Sequence, residues 1–107
     1  MVISRGSTEH LELNIPNIEL TDIVEVWFTI TQDSVKVFKT LAELSEINGT
    51  LYANLSQEDT LSLTANTFAY MQLRILLANG EAIPTERKRF YITDVDKDGV
   101  ITMGETK

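Results

Sequence analysis

Hydrophobic and polar residues alternate with a period of two in several short stretches of the chain. The stretch from Leu11 to Ile15 alternates in this way and runs into Pro16. Alternation is clearest between Ile23 and Thr31, where one predicted face carries Val24, Val26, Phe28 and Ile30. A period of two is expected when one face of a β-strand is buried and the other is not. These two stretches therefore predict β-strands.

Four further stretches predict strands by the same pattern or by a continuous apolar run. The longest, Phe68 to Leu77, is almost wholly apolar and predicts a central strand. Pro84 interrupts the chain before the last strand and indicates an edge or a bulge there. The remaining three predicted strands are residues 35–38, 51–55 and 89–93.

Turn-forming residues separate these strands. Gln32 to Ser34 is typical of a turn, and Asn48-Gly49 is the strongest short-range signal for a two-residue hairpin. A second pair, Asn79-Gly80, predicts the turn into the last strand. Ser56 can cap a short helix whose first turn carries Glu58 and Asp59, and that helix should run for one or two turns at most.

Six or seven short strands, regularly spaced turns and one short helical turn predict an all-β protein. The fold class expected is an antiparallel β-sandwich of the immunoglobulin-like kind. A single domain is expected, because 107 residues lie within the usual range for one core. The sandwich is predicted over residues 1–93, followed by an acidic C-terminal tail over residues 94–107.

The composition of the chain argues against several classes of function. The formal net charge of −7 argues against binding to nucleic acid or to anionic lipid, which favours proteins or cations as partners. The chain has no cysteine, which excludes thiolate metal sites and cysteine nucleophiles. No signal peptide is recognised in Met1 to Gly6, and no stretch reaches the length of a membrane span, so cytosolic synthesis is expected.

The most specific motif lies at the C-terminal end, where residues 94–105 match the spacing of a calcium-binding EF-hand loop. Position by position, the candidate ligands are the carboxylates of Asp94, Asp96 and Asp98, the carbonyl of Val100 and the carboxylate of Glu105. An EF-hand also needs a helix on each side, but a predicted strand precedes this loop and only two residues follow Glu105. The favoured interpretation is therefore a solvated acidic tail without a cofactor, and calcium binding is the alternative.

Other candidate residues form no catalytic constellation, so no enzyme is predicted. His10 is the single histidine and is expected at the surface near a disordered N-terminus. The cluster Arg87-Lys88-Arg89 either contacts an acidic partner or protects an edge strand from aggregation, and the second interpretation is favoured. Trp27 fits an exposed interface and the core equally well, whereas Tyr70 is expected in the core.

The order of landmarks along the whole chain resembles that of small structural proteins of tailed phages and prophages. It is similar to the N-terminal β-sandwich domain of phage baseplate upper proteins. The segments that carry this resemblance are residues 5–8, 11–16, 23–32, 48–49, 55–61, 71–75, 79–82 and 97–101.

This resemblance implies a virion component of the baseplate, tail or head that assembles in the cytoplasm of a bacterial host. Its partners would be other virion proteins or copies of itself, and no catalytic residues come with it. Trp27, Arg87, Lys88 and Arg89 are the candidate interface residues. A calcium-binding module is the main alternative function, and a carbohydrate-binding sandwich that uses Trp27 is a weaker one.

Overall fold

The computed structural model describes residues 1–15 and 18–103 and has an all-β architecture. Pro16, expected to close the first predicted strand, and Glu105, the last candidate calcium ligand, lie outside the described residues. The strands are β1 (Val2–Ser4), β2 (Glu9–Leu13), β3 (Ile23–Gln32), β4 (Ser34–Thr40), β5 (Ser45–Ile47), β6 (Thr50–Leu55), β7 (Thr67–Leu77), β8 (Ala82–Pro84) and β9 (Lys88–Thr93). One short helix, α1 (Gln57–Leu61), and two 3₁₀ turns, Leu20–Asp22 and Leu41–Glu43, complete the described elements.

The strands form two sheets that face each other across one core. The larger sheet has the order β1-β9-β7-β3-β4, with β8 paired to β7 as well, and the smaller has the order β2-β6-β5. All pairings are antiparallel except that of β1 with β9. The predicted antiparallel β-sandwich is confirmed, and β7 is the central strand expected from its apolar run.

Side chains from both sheets fill the core, as the alternation of the strands requires. In β3 the buried hydrophobic residues are Val26, Phe28 and Ile30, and in β7 they are the odd-numbered residues from Ala69 to Ile75. The facing strands of the smaller sheet bury Leu11, Leu13, Leu51, Ala53 and Leu55. The two sheets thus share a single hydrophobic cluster.

Two β-bulges expose valines that the alternation along the sequence would place in the core. Val24 was expected beside Val26 in the core, yet it is 56% exposed because the pairing of β3 with β7 shifts between Ile23 and Glu25. Val35 is exposed for the same reason, since the pairing of β3 with β4 shifts after Ile30. An extra residue at a bulge moves the following side chains to the other face of the sheet.

The turn around Asp33, the Asn48-Gly49 turn and the helix start are found where expected, whereas the Asn79-Gly80 turn leads into β8 and not into the last strand. Asn48 and Gly49 both have positive φ, which is the backbone that a two-residue hairpin between β5 and β6 requires. Asp33 turns β3 into β4 with a φ of 65°. Ser56 caps α1, because its hydroxyl accepts a hydrogen bond from the Asp59 amide and the Asp59 carboxylate accepts one from the Ser56 amide.

The N-terminus differs from the disordered segment that was expected. Ile3 is fully buried, and β1 runs parallel to β9 with Ile3 opposite Ile92. Only one apolar position of a three-residue strand is buried, so the alternation that identifies longer strands is absent there. Gly6, with a φ of 82°, then turns the chain away beside Val95.

Candidate interaction surface

The outer face of the larger sheet exposes large aromatic side chains. They lie on the residues of β3, β4, β7 and β9 that alternate with the core positions, so they point away from the smaller sheet. Exposed fractions are 45% for Trp27, 47% for Phe38 and 42% for Phe68. Tyr70 and Tyr91 are half-buried on the same face. We call this surface, together with Arg74, Arg87 and Arg89, the aromatic–arginine face.

A first cluster on this face contains Trp27, Phe38 and Arg74. Trp27 and Phe38 make an edge-to-face contact with ring centroids 5.4 Å apart. Arg74 lies directly opposite Trp27 in the pairing of β3 with β7, and its guanidinium carbon is 5.3 Å from the centre of the Trp27 ring. Both contacts hold the exposed indole in place.

A second cluster lies at the other end of the same face. Phe68 and Tyr91 make an edge-to-face contact at 5.3 Å, and the Arg89 guanidinium carbon lies 4.2 Å from the Phe68 ring centre. Arg87 covers Tyr70 in the same way at 4.3 Å. Cation–π contacts of this kind fix long side chains that would otherwise be mobile.

The three arginines keep their charges available. Within residues 1–15 and 18–103, the ion pairs within 4.0 Å involve Arg5 and Lys39, and none involves Arg74, Arg87 or Arg89. Glu25 lines the same pocket as Trp27 and Arg74, and its carboxylate accepts hydrogen bonds from the amides of Val26 and Leu41 at 2.9 Å. Despite the net charge of −7, this face presents three guanidinium groups that have no ion-pair partner among the described residues.

Among the candidate interface residues, the structure brings Arg87 and Arg89 together on this face, and Trp27 lies at its other end. Lys88 is separated from them, because it alternates to the opposite side of β9 and pairs with the buried Met71. There it lines an apolar cleft of about 400 Å³ between β2 and the strand pair β7-β8. The register of β1 with β9 covers only Tyr91–Thr93, and the edge interpretation of the basic cluster stays a prediction.

The prediction for Tyr70 was wrong, and four residues of the surface were missed. Tyr70 lies on the outer face of β7, opposite Thr31 and Arg89, and not in the core. The missed residues are Phe38, Phe68, Arg74 and Tyr91. The alternation along β7 could have identified two of them. Phe68 and Arg74 alternate with the buried residues Ala69, Met71 and Leu73, and so lie on the opposite face of the strand.

The acidic segment after β9 is held by Arg5. One terminal nitrogen of the Arg5 guanidinium lies 2.8 Å from a carboxylate oxygen of Asp94 and 2.8 Å from one of Asp98. The other nitrogens donate to the carbonyls of Leu61 and Leu63 at 3.0 and 2.9 Å. The contact with Asp98, followed by that with Asp94, raises the pKa of Arg5. Two of the five candidate calcium ligands thus share one guanidinium.

The other candidate ligands are more dispersed. Asp96 and Val100 are exposed, and Glu105 lies outside the described residues. In the part of the chain that the structure describes, no three acidic or histidine side chains are grouped so as to hold a metal ion.

Acid should weaken the contact between Arg5 and Asp94. The Arg5 hydrogen bond, followed by the Val95 amide, holds the pKa of Asp94 below its ordinary value. A carboxyl with a lowered pKa in the folded state stabilises the fold above its unfolded pKa, and that contribution is lost as the pH falls through the folded pKa. We expect Asp94→Asn to be less stable than the unmodified chain at pH 7, with the difference shrinking below about pH 4. Urea unfolding across this pH range measures it. A difference in stability that stays constant down to pH 2 would contradict the assigned contact between Arg5 and Asp94.

His10 lies on the smaller sheet, far in the fold from the aromatic–arginine face. Its ring stacks on Tyr52 with centroids 4.3 Å apart, and it forms a hydrogen bond with the side chain of Asn54. As expected, His10 is exposed.

Comparisons with known proteins give a fold neighbour and no family. No protein-family model matches the chain, and no curated protein sequence matches it. Among solved structures, the chain is similar to the first immunoglobulin-like domain of the human CD48 antigen, with 20% identity and a TM-score of 0.43. The match covers 98% of this chain and 89% of that one. No helix among the described residues is long and apolar enough to cross a membrane.

Proposed function

We propose that this chain is a structural component of a tailed-phage virion, in the baseplate, the tail or a head accessory structure. It acts by protein–protein assembly, and the aromatic–arginine face is the contact surface. The observation that carries the proposal is the pair of exposed aromatic clusters, each held in place by arginine. Tryptophan, tyrosine and arginine are the residue types that contribute most binding energy at protein interfaces.

The two clusters are ordered before a partner arrives. Because Arg74, Arg87 and Arg89 already stack on Trp27, Tyr70 and Phe68, little side-chain entropy remains to be lost on binding. Apart from Arg87, which lies in the loop between β8 and β9, the residues of the clusters lie on paired strands, so their spacing is set by the sheet. The virion is proposed as the location because the sequence resembles those of phage structural proteins.

Sugar binding through Trp27 is less well supported. A carbohydrate would need the flat face of the indole, and Arg74 lies over that ring while Phe38 contacts it edge to face. Calcium binding would require a cation to compete with Arg5 for Asp94 and Asp98. Assembly is therefore the function that the arrangement of side chains favours.

Incorporation into particles tests this proposal. We expect the unmodified chain to be present at stoichiometric level in purified tailed particles, quantified by mass spectrometry. The double variant Trp27→Ala with Arg89→Ala should be incorporated at least about tenfold less, since truncating central interface residues typically costs about 2 kcal/mol or more each. The loss should occur although the variant remains folded by circular dichroism.

The matched control is His10→Ala with Tyr52→Ala, which removes an exposed aromatic stack from the opposite sheet. Normal incorporation of this control is expected. Absence of the unmodified chain from purified particles, or equal incorporation of both double variants, would overturn the proposal.

A further inference from the structure

The end of the sandwich near α1 carries an exposed apolar segment beside carboxylates. Val100 is 47% exposed, Ile101 81% and Met103 96%. Asp96 and Glu58 are exposed nearby in the fold, and the carboxylates of Asp94 and Asp98 are half or more exposed. We call residues 94–103 the acidic–apolar segment.

This segment is held at the end of the sandwich. The Gln57 side chain accepts a hydrogen bond from the Ile101 amide at 2.7 Å and donates one to the Ile101 carbonyl at 3.0 Å, as a neighbouring strand would do. Arg5 fixes Asp94 and Asp98 at the other end of the segment. With both ends held, Val100 and Ile101 stay exposed at this end of the sandwich.

The chemistry of the segment complements that of the aromatic–arginine face. The face offers aromatic rings and guanidinium groups that form no ion pair within the described residues. The segment offers aliphatic side chains, the exposed carboxylate of Asp96 and the half-exposed carboxylates that Arg5 holds. The face extends over four neighbouring strands from Phe38 to Tyr91, or about 14 Å at the usual strand spacing. The apolar part of the segment, residues 100–103, would span about 13 Å in an extended conformation.

We propose that the acidic–apolar segment of one copy binds the aromatic–arginine face of a second copy of this chain. The inference rests on the proposed function, because it names the partner of the same surface. Each copy then has one donor end and one acceptor face, so the contact is heterologous. Contacts of this type build rings when the rotation closes and open filaments when it does not.

Two variants test this contact, one altered in the aromatic–arginine face and the other in the acidic–apolar segment. The face variant carries Arg74→Glu and Arg89→Glu, and the segment variant carries Asp96→Lys and Ile101→Ser. We expect the unmodified chain to self-associate in sedimentation velocity runs up to about 0.5 mM, where a contact with a Kd near 10⁻⁴ M is populated. Each variant alone should associate at least tenfold more weakly, because reversed charges meet like charges.

An equimolar mixture of the two variants should form a dimer that does not grow. In the mixture, the intact segment of the face variant can bind the intact face of the segment variant, and the second contact is absent. The control variant carries Lys88→Glu and Glu12→Lys, which reverse the same charges away from both surfaces, and it should associate like the unmodified chain.

Three results would overturn the self-contact. They are an unmodified chain that stays monomeric throughout, a segment variant that associates normally, and a mixture that remains monomeric. If the unmodified chain stays monomeric while the double variant at Trp27 and Arg89 is still excluded from particles, the face binds a different virion protein. The proposed function then stands without a second copy as the partner.

Discussion

Replacing Phe28 by alanine is expected to lower the free energy of unfolding by about 3 to 5 kcal/mol, the usual range for removing a phenyl ring from a packed core. Phe28 is fully buried in β3 and lies between the central strand β7 and the edge strand β4. Its ring is among the largest fully buried side chains of the described residues. Urea unfolding followed by circular dichroism measures the change.

The control is the same substitution at Phe38, which is 47% exposed on the outer face. Phe38→Ala should cost about 1 kcal/mol or less, because it leaves no cavity. Similar losses at both positions would show that the alternation of core and outer face in the larger sheet is misassigned.

The second large effect is expected at Gln32, a buried polar residue at the end of β3. Its amide accepts a hydrogen bond from the Thr64 backbone amide at 2.7 Å and donates one to the Thr64 carbonyl at 3.0 Å. Gln32→Leu removes both hydrogen bonds, which are part-buried although Thr64 itself is exposed, at about 1 kcal/mol for each, the usual net value of a hydrogen bond. We expect a total loss of about 2 kcal/mol, measured by urea unfolding.

Gln72 supplies the comparison, since it is half-buried on the outer face and donates one hydrogen bond to the Thr85 carbonyl at 2.8 Å. Gln72→Leu should cost about 1 kcal/mol or less, because it removes one part-buried hydrogen bond and not two. If Gln32→Leu were no more costly than Gln72→Leu, Gln32 would not be the partner that the Thr64 backbone depends on.

Local chemistry made much of the fold predictable. Asn48-Gly49 can adopt the positive φ angles of a tight hairpin, and Ser56 can cap a helix, so both features follow from single residues and their neighbours. The long alternation from Ile23 onwards likewise fixes which face of β3 is buried. These signals need no knowledge of distant contacts.

Features that depend on distant partners were not predictable. The parallel pairing of β1 with β9 joins residues at opposite ends of the chain, and a three-residue strand carries no periodicity of its own. Bulges exposed Val24 and Val35 because register shifts depend on the neighbouring strand. The ion pairs of Arg5 with Asp94 and Asp98 could not be predicted, because they also join the two ends of the chain.

The aromatic–arginine face was only half predicted. Trp27, Arg87 and Arg89 were candidates because of their residue types, but the strand order that sets them on one face is a property of the whole sheet. Tyr70 was assigned to the core because β7 is apolar on both sides in sequence. Its outer side carries the exposed ring of Phe68 and the half-buried ring of Tyr70 beside the polar Gln72 and Arg74.

Hydroxyl-radical footprinting of the chain, free and within assembled particles, tests most directly whether the aromatic–arginine face is the assembly contact. The measured quantity is the oxidation rate of individual side chains by mass spectrometry. We expect Trp27, Phe38 and Phe68 to be protected on assembly, while Tyr52 on the opposite sheet reacts at an unchanged rate. Equal oxidation of Trp27, Phe38 and Phe68 in both states, with protection of Tyr52, would place the contact on the smaller sheet and contradict the account.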